Sequence, residues 1–142
     1  MEVVFPITLD SARNVIGRDP LAAWIGFRLE ELSRERVIGS MLVEQKLIAP
    51  NGFLHAAVVT ALADITCGLG TSIYLPDAAH GFATLEIKTN LMGTARKGEL
   101  YCEAVPKHVG AATQVWDGEV RSRETGKTTV LFRCTQMILE LR

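Results

Sequence analysis

Two side chains capable of acid–base chemistry, His55 and Asp64, lie nine residues apart in the segment NGFLHAAVVTALAD, residues 51–64. Asp64 falls inside an almost wholly apolar run. An ionised carboxylate in apolar surroundings costs free energy unless it is paired or hydrogen-bonded. Asp64 is therefore expected either to have a structural partner or to take part in a reaction.

Both residues are predicted to lie on one long helix, over residues 55–75. Apolar side chains recur along it at spacings of three and four, as on one face of a helix: Val58, Leu62, Ile65, Leu69 and Ile73. Small residues, among them Gly68 and Gly70, occupy much of the remaining surface and let other backbone approach closely. We therefore expect a largely buried helix that is wrapped by a sheet.

The interval of nine residues separates His55 from Asp64 on this helix. At about 100° and 1.5 Å per residue, the two lie on roughly opposite faces and about 13 Å apart along the axis. They cannot form a contact pair within one helix. If both serve one site, two copies of the helix must supply them, and a homodimer with a two-fold axis is the natural assembly.

The start of the helix offers a second chemical group. The first backbone N–H groups, near Ala56 and Ala57, have no acceptor within the helix and carry partial positive charge. Such groups can bind a developing oxyanion, beside which a carboxylate of the partner chain could attack a carbonyl or activate a water. The alternative is structural: His55 either caps the helix or is a core histidine with satisfied hydrogen bonds, and Asp64 pairs with a nearby lysine, arginine or hydroxyl.

The rest of the chain predicts an α+β layer fold with one long helix packed on a curved antiparallel sheet. Short helices are expected over residues 10–16 and 19–26, and a hairpin over residues 27–32 and 36–43. After Pro76, four strands are separated by the turn signals RKG, HVG and ETGK.

Alternation along GFATLEIKTNLM puts Thr84 and Glu86 on one side of its strand, and Leu85 and Ile87 on the other. His80 and His108 are expected in loops. Their scatter, and the absence of an HExxH motif, give no spacing typical of a metal site, and neither a metal nor a cofactor is expected.

Composition excludes several classes of function. The chain has 142 residues, a net charge of −1, 48% hydrophobic and 22% charged residues, which fits one globular domain over residues 1–142. The charge gives no reason to expect nucleic acid or an anionic membrane as a partner. The N-terminus lacks the pattern of a signal peptide, and no apolar stretch is expected to be long enough to span a bilayer.

Three scattered cysteines, Cys67, Cys102 and Cys134, form no CxxC pair. An odd number at such spacings is not typical of a disulfide framework or a zinc site. We expect free, mostly buried thiols and a cytoplasmic location.

The chain resembles the hotdog-fold acyl-CoA thioesterases, in the branch that includes the phenylacetate-pathway thioesterase. The family pattern is an Asn, then His-Gly-Gly, then a helix ending in Leu-Ala-Asp, and here NGFLHAAVVTALAD keeps the interval of nine and the final LAD. The stretches ATLEIKTNLMGTARKGEL and TGKTTVLFRCTQMIL are similar to the family's central and closing strands. The resemblance covers most of the chain, from about residue 21 to the final strand.

This resemblance implies hydrolysis of a small or medium acyl-CoA, including aromatic acyl groups, by a homodimer that often pairs again into a dimer of dimers. Asp64 would be the general base or nucleophile. The N–H of Ala56, from the opposite subunit, would contact the oxyanion, and His55 would shape or polarise that end. Thr84 would orient a water near the carboxylate. Arg96 and Lys97 would contact the phosphates of coenzyme A, which is part of the substrate.

Two departures from the family pattern stand out. The His-Gly-Gly sequence is His55-Ala56-Ala57 here. The usual Asn lies six residues before the His, where this chain has Ala49, so that Asn51, four residues before, is the candidate for the side-chain amide. These departures keep two other functions open: a hotdog module that binds acyl-CoA without turnover, and a hotdog hydratase or dehydratase whose base is His55.

Overall fold

The computed structural model describes residues 7–140. Its helices are α1 (Leu9–Ile16), α2 (Pro20–Ile25) and α3 (Ala56–Ile73), with a short 3-10 turn at Gln45–Leu47. Its strands are β1 (Arg28–Leu32), β2 (Val37–Leu42), β3 (Ala79–Leu91), β4 (Glu99–Val109), β5 (Thr113–Ser122) and β6 (Thr128–Glu140).

The six strands form one antiparallel sheet in the order β1-β2-β4-β5-β6-β3. Most neighbours in the sheet are also neighbours in the chain and are joined by short turns. Between β2 and its sheet neighbour β4, however, the chain passes through α3 and then through β3, which pairs with β6. β3 therefore lies at one edge and the short β1 at the other. The predicted α+β architecture, with a long helix packed on an antiparallel sheet, is confirmed.

The small residues of α3 let the sheet approach the helix closely. A Cβ atom at Gly70 would lie 2.5 Å from the ring of Trp116, which is fully buried on β5. A Cβ atom at Gly68 would lie 3.3 Å from the Phe82 ring of β3. Packing against aromatic rings thus offsets the weak helix propensity of the glycines.

The apolar character of α3 corrects one expectation. The helix is long and apolar enough, by length and composition alone, to cross a membrane. However, 61% of it is buried inside the domain, because the sheet covers it. Its hydrophobicity is accounted for by the core that it forms with the sheet.

A bulge in β3 changes the predicted faces of that strand. Thr84 pairs with Gln136 and Glu86 pairs with Thr135, so that Leu85 is the extra residue between them. Gln136 faces the core and Thr135 does not. Thr84 therefore lies on the inner face with Ile87, and Glu86 lies on the outer face. The alternation predicted from the sequence was wrong beyond this point, because one inserted residue shifts every later side chain to the other face.

The other elements lie close to their predicted positions. Asp19 caps α2 by accepting from the N–H groups of Leu21 and Ala22, and Gly26 ends that helix with a φ of +69°. α1 begins at Leu9, one residue earlier than predicted, and its cap is Thr8.

Both scattered histidines lie in strands rather than loops. His80 lies in the first residues of β3, and His108 lies near the end of β4. The strands extend further than the turn signals suggested, because their register partners on β6 and β5 continue to pair with them. The three cysteines are free and buried, as expected.

Candidate active site

A tight hairpin delivers the chain to the start of α3. Ile48 and Leu54 form an isolated antiparallel bridge, and the N–H of His55 donates to the carbonyl of Leu47 at 3.1 Å. Gly52 sits at the tip with a φ of +84°, which a residue with a Cβ rarely adopts. The predicted turn therefore fixes where the first residues of the helix point.

The N-terminus of α3 presents unpaired donors. His55 is the N-cap residue, yet its exposed side chain makes no capping hydrogen bond. The carbonyl of His55 accepts from Val58 and Val59, while the N–H groups of Ala56 and Ala57 have no partner within residues 7–140. The interpretation of His55 as a side-chain cap was wrong, and two free N–H groups face outward at the positive end of the helix dipole.

Asp64 lies half-buried in the middle of α3 and has no hydrogen-bond or ion-pair partner among the described residues. Burial raises the pKa of its carboxyl, because the charged form loses hydration that no neighbour replaces. No lysine, arginine or hydroxyl of the described residues pairs with Asp64, so the structural alternative is not supported. The carboxylate is free to accept a proton.

Thr84 lies on β3 two residues after a side chain that packs against the middle of α3. Phe82, two residues earlier, packs on Gly68, which is one turn after Asp64 in α3. The hydroxyl of Thr84 donates to the side-chain oxygen of Gln136 at 2.7 Å. The packing of Phe82 on Gly68 brings this segment of β3 to the middle of α3, which carries Asp64, whereas His55 and Ala56 lie at the start of the helix.

The side chain of Asn51 is engaged in a hydrogen bond within the turn. Its side-chain oxygen accepts from the N–H of Phe53 at 3.2 Å, and the residue is exposed. Such a bond stabilises the turn, and it engages the oxygen that would otherwise be available to a ligand. Ala49, at the position where the family carries an amide, is half-buried and has only a methyl group to offer.

A cavity of about 280 Å³ opens beside Ala56. Its walls come from the start of α3, the end of β3 and the loop that follows, and they include Phe53, Val59, Leu91 and Met92. These side chains are apolar, so the cavity suits an apolar ligand segment. Sequence reasoning missed this cavity, since its walls are far apart in the chain.

Arg96 lies at this end of the molecule, with its guanidinium 5.2 Å from the centroid of the Phe53 ring. Arg28, Arg36, Arg121, Arg123 and Arg133, by contrast, each pair with carboxylates on the sheet. Arg96 and Lys97 are exposed and form no ion pair with any residue from 7 to 140. Both cations are thus available to an anionic ligand.

Gln136 is a further polar residue that the sequence did not single out. It is fully buried on the inner face of β6, where its register partner is Thr84. The available signal was a glutamine at an inward position of a strand whose other inward residues, Val130, Phe132 and Cys134, are apolar. A buried amide at such a position needs partners and so points to a polar site nearby.

Known proteins share this architecture. The 1,4-dihydroxy-2-naphthoyl-CoA hydrolase of Escherichia coli is 28% identical over 133 residues, which cover 94% of this chain and 96% of that protein. A thioesterase from Haemophilus influenzae superposes with a TM-score of 0.86 at 24% identity, covering 97% and 96% of the two chains. The E. coli PaaI protein from the phenylacetic acid degradation operon gives 0.81 at 20% identity, covering 90% of each. The hotdog fold expected from the sequence is confirmed.

A Staphylococcus aureus thioesterase is 26% identical, with a TM-score of 0.80, covering 85% of this chain and 99% of that one. Its structures include one variant with a glutamine replaced by alanine and another with a glutamate, fifteen positions later, replaced by alanine. The thioesterase superfamily model matches residues 51–129, which include α3, β3, β4 and β5. The chain belongs to the thioesterase superfamily.

Proposed function

We propose that this protein hydrolyses an acyl-CoA thioester, with Asp64 as the general base and the N–H of Ala56 as an oxyanion donor. One observation carries the proposal. A single helix presents a half-buried carboxylate and, at its start, backbone N–H groups, and neither has a hydrogen-bond partner in the part of the chain that the structure describes. Hydrolysis of a carbonyl compound needs both groups: a base for the water and a donor for the oxygen that becomes negative.

The two groups come together across a dimer. Within residues 7–140, the long strand β3 pairs with β6 on one side and with no strand on the other. It also exposes apolar side chains, with Leu85 57%, Ile87 43% and Leu91 49% accessible. Such an edge favours pairing with another strand, and pairing with β3 of a second copy continues the sheet about a two-fold axis. The helices then lie side by side and each Ala56 approaches the partner's Asp64.

The reaction follows from these positions. Asp64 takes a proton from a water while the water oxygen attacks the thioester carbonyl carbon. The carbonyl oxygen becomes an oxyanion that the Ala56 N–H stabilises, with His55 beside it. The tetrahedral species collapses, the carbon–sulfur bond breaks, and the proton held by Asp64 passes to the leaving thiolate. The products are a free acid and coenzyme A, and Asp64 is again ionised. Direct attack by the carboxylate would use the same geometry.

The substrate class is supported by the cavity and by the free cations. The apolar cavity beside Ala56 accommodates an apolar segment of a small or medium thioester. Arg96 and Lys97, on the loop after β3, offer charges to the phosphates of the coenzyme A moiety. The E. coli relative named as an aromatic acyl-CoA hydrolase puts aromatic acyl groups among the first substrates to try.

The test is a thiol-release assay with aromatic, short-chain and medium-chain acyl-CoAs. Asp64→Asn should lose at least about a hundredfold in kcat on the best substrate, the usual scale for an acid–base group. Asp77→Asn, at an exposed carboxylate before β3, is the matched control and should keep wild-type turnover. Near-normal turnover in Asp64→Asn would contradict the proposal.

One observation favours a second candidate, an acyl-CoA-binding module without turnover. Ala49 supplies no amide where the family carries one, and Asn51 is engaged in its turn. Saturable binding of acyl-CoA with no thiol release across the panel would support this candidate. Enoyl-CoA hydration that His55→Ala abolishes, in the absence of thioester hydrolysis, would instead identify a hydratase.

A further inference from the structure

The hydroxyl of Thr84 is held by a fully buried side chain, Gln136. The two residues are register partners across β3 and β6, and Thr84 Oγ1 donates a 2.7 Å hydrogen bond to Gln136 Oε1. The amide nitrogen of Gln136 donates in turn to Cys134 Sγ at 3.4 Å. Because both ends of the amide are occupied, its oxygen is fixed in the direction of Thr84.

This bond decides what Thr84 can offer the site. A threonine hydroxyl has one proton and two lone pairs, and the proton of Thr84 is committed to Gln136. Thr84 can therefore only accept a hydrogen bond from a molecule beside Asp64. The ionised carboxylate of Asp64 is likewise an acceptor. Two acceptors bind a water through its two protons and leave its lone pair directed away from both of them.

We propose that Gln136 is a positioning residue, which keeps Thr84 an acceptor so that the attacking water donates one proton to Asp64 and the other to Thr84. The inference rests on the proposed thioester hydrolysis. Without the Gln136 carbonyl, the proton of the Thr84 hydroxyl would be free to turn toward the proposed site, where the Asp64 carboxylate is the strongest acceptor. The hydroxyl would then occupy the position of the water and stabilise the base in its ionised form.

The groups that surround Asp64 make this effect measurable. The buried thiol of Cys67, on the same helix, lies close enough to Asp64 for the carboxylate to raise its pKa, and Cys67 is itself beside Cys134 of β6 and Cys102 of β4. The charged residues of β3, Glu86 and Lys88, lie on the outer face of the sheet, opposite to Asp64. Arg133 of β6 pairs with Asp117 on that same outer face. A new bond from Thr84 therefore has no cation of these elements to compete with.

The test compares Gln136→Leu, Thr84→Val and the double variant in the thiol-release assay across pH. Gln136→Leu should lower kcat about tenfold to a hundredfold, the scale of a misplaced reactant. It should also move the acid limb of the rate profile to lower pH, because a donor to the carboxylate lowers the pKa of Asp64. In the Thr84→Val background, adding Gln136→Leu should change neither kcat nor the acid limb further. Thr84→Ser, which keeps the hydroxyl, should retain the turnover that Thr84→Val loses.

The matched control is Gln114→Leu. Gln114 is also fully buried, but it lies on β5 and bonds Trp116 and Thr71 instead. This variant should lose stability without a shift of the acid limb. If Gln136→Leu does not fold, Gln136→Met, which keeps the side-chain length, carries the same expectation.

Two results would overturn the inference. One is a wild-type kcat and acid limb in Gln136→Leu. The other is independent effects of the Gln136 and Thr84 substitutions that multiply in the double variant. If either result is found while the wild type hydrolyses the thioester and Asp64→Asn does not, only the role of Gln136 is rejected and the proposed function is retained. Absence of hydrolysis in the wild type would remove both proposals.

Discussion

The N–H of Ala56 and the carboxylate of Asp64 lie on one helix, eight residues and about 12 Å apart along its axis. No single thioester carbonyl can contact both groups of one chain. The proposed site must therefore take Ala56 from one subunit and Asp64 from the other, and this arrangement can be tested without a structure of the dimer.

Mixed dimers should recover activity that neither parent variant has. Asp64→Asn removes the base, and Ala56→Pro removes the oxyanion donor at a helix position that tolerates proline. A dimer with one subunit of each kind has one complete site. Random mixing of equal amounts should restore about a quarter of wild-type kcat, since half of the dimers are mixed and each has one of two sites intact. Thiol release after joint refolding measures this.

The control for that experiment mixes Asp64→Asn with Asp64→Ala, a pair that cannot form a complete site. No activity should return. If Asp64→Asn and Ala56→Pro also stay inactive together, while analytical ultracentrifugation shows that they form dimers, the two-chain site is wrong.

Asp64 should cost the protein stability at neutral pH. Burial raises the pKa of its carboxyl above the ordinary value of 3.8, so the folded state binds the proton more tightly than the unfolded state does. The free energy of unfolding therefore falls as the pH rises from the unfolded pKa through the folded pKa. Asp64→Asn, which carries no charge, should melt at a higher temperature than wild type at pH 7, and this difference should shrink toward pH 3.

The exposed Asp77 again supplies the control. Asp77→Asn should leave the melting temperature at pH 7 unchanged, because its carboxylate keeps its hydration in the folded protein. A lower melting temperature in Asp64→Asn at neutral pH would mean that the carboxylate has a stabilising partner, against the structure.

The sequence predicted the long helix and the antiparallel sheet, because apolar periodicity and turn residues are local signals. It could not predict the bulge at Leu85, which puts Ile87 on the same face as Thr84 and Glu86 on the other, since a strand with one extra residue has the same composition as a regular one. Nor could it tell that Asp64 has no partner within residues 7–140. That fact depends on the direction of every neighbouring side chain. Gln136 was missed for the same reason.

Arg96 should contribute to the binding of coenzyme A rather than to the chemical step. Its guanidinium contacts the Phe53 ring and no carboxylate. Arg96→Gln should raise the KM for an acyl-CoA about threefold to tenfold, the effect of one lost surface charge contact of about 1 kcal/mol, with little change in kcat. The KM for the N-acetylcysteamine thioester of the same acid, which has no phosphates, should not change.

Arg18→Gln is the control for this measurement, because Arg18 is an exposed arginine in the link between α1 and α2. It should alter neither KM. An equal rise for both thioesters in Arg96→Gln would indicate that the side chain shapes the cavity mouth with Phe53 and does not recognise phosphate.

Ala49→Gln should increase turnover. Ala49 lies six residues before His55, where the family pattern carries an amide. A side-chain amide at Ala49 would lie on the hairpin beside the free N–H of Ala56 and could donate to the same oxyanion. Because one such donor contributes about 10²–10³ in kcat where it is well aligned, we expect a gain of about tenfold in an unoptimised position.

The control is Ala49→Leu, which adds a side chain without a donor and should not gain turnover. If Ala49→Gln is no faster than Ala49→Leu, the amide does not reach the oxyanion, and Ala56 supplies the donor without it.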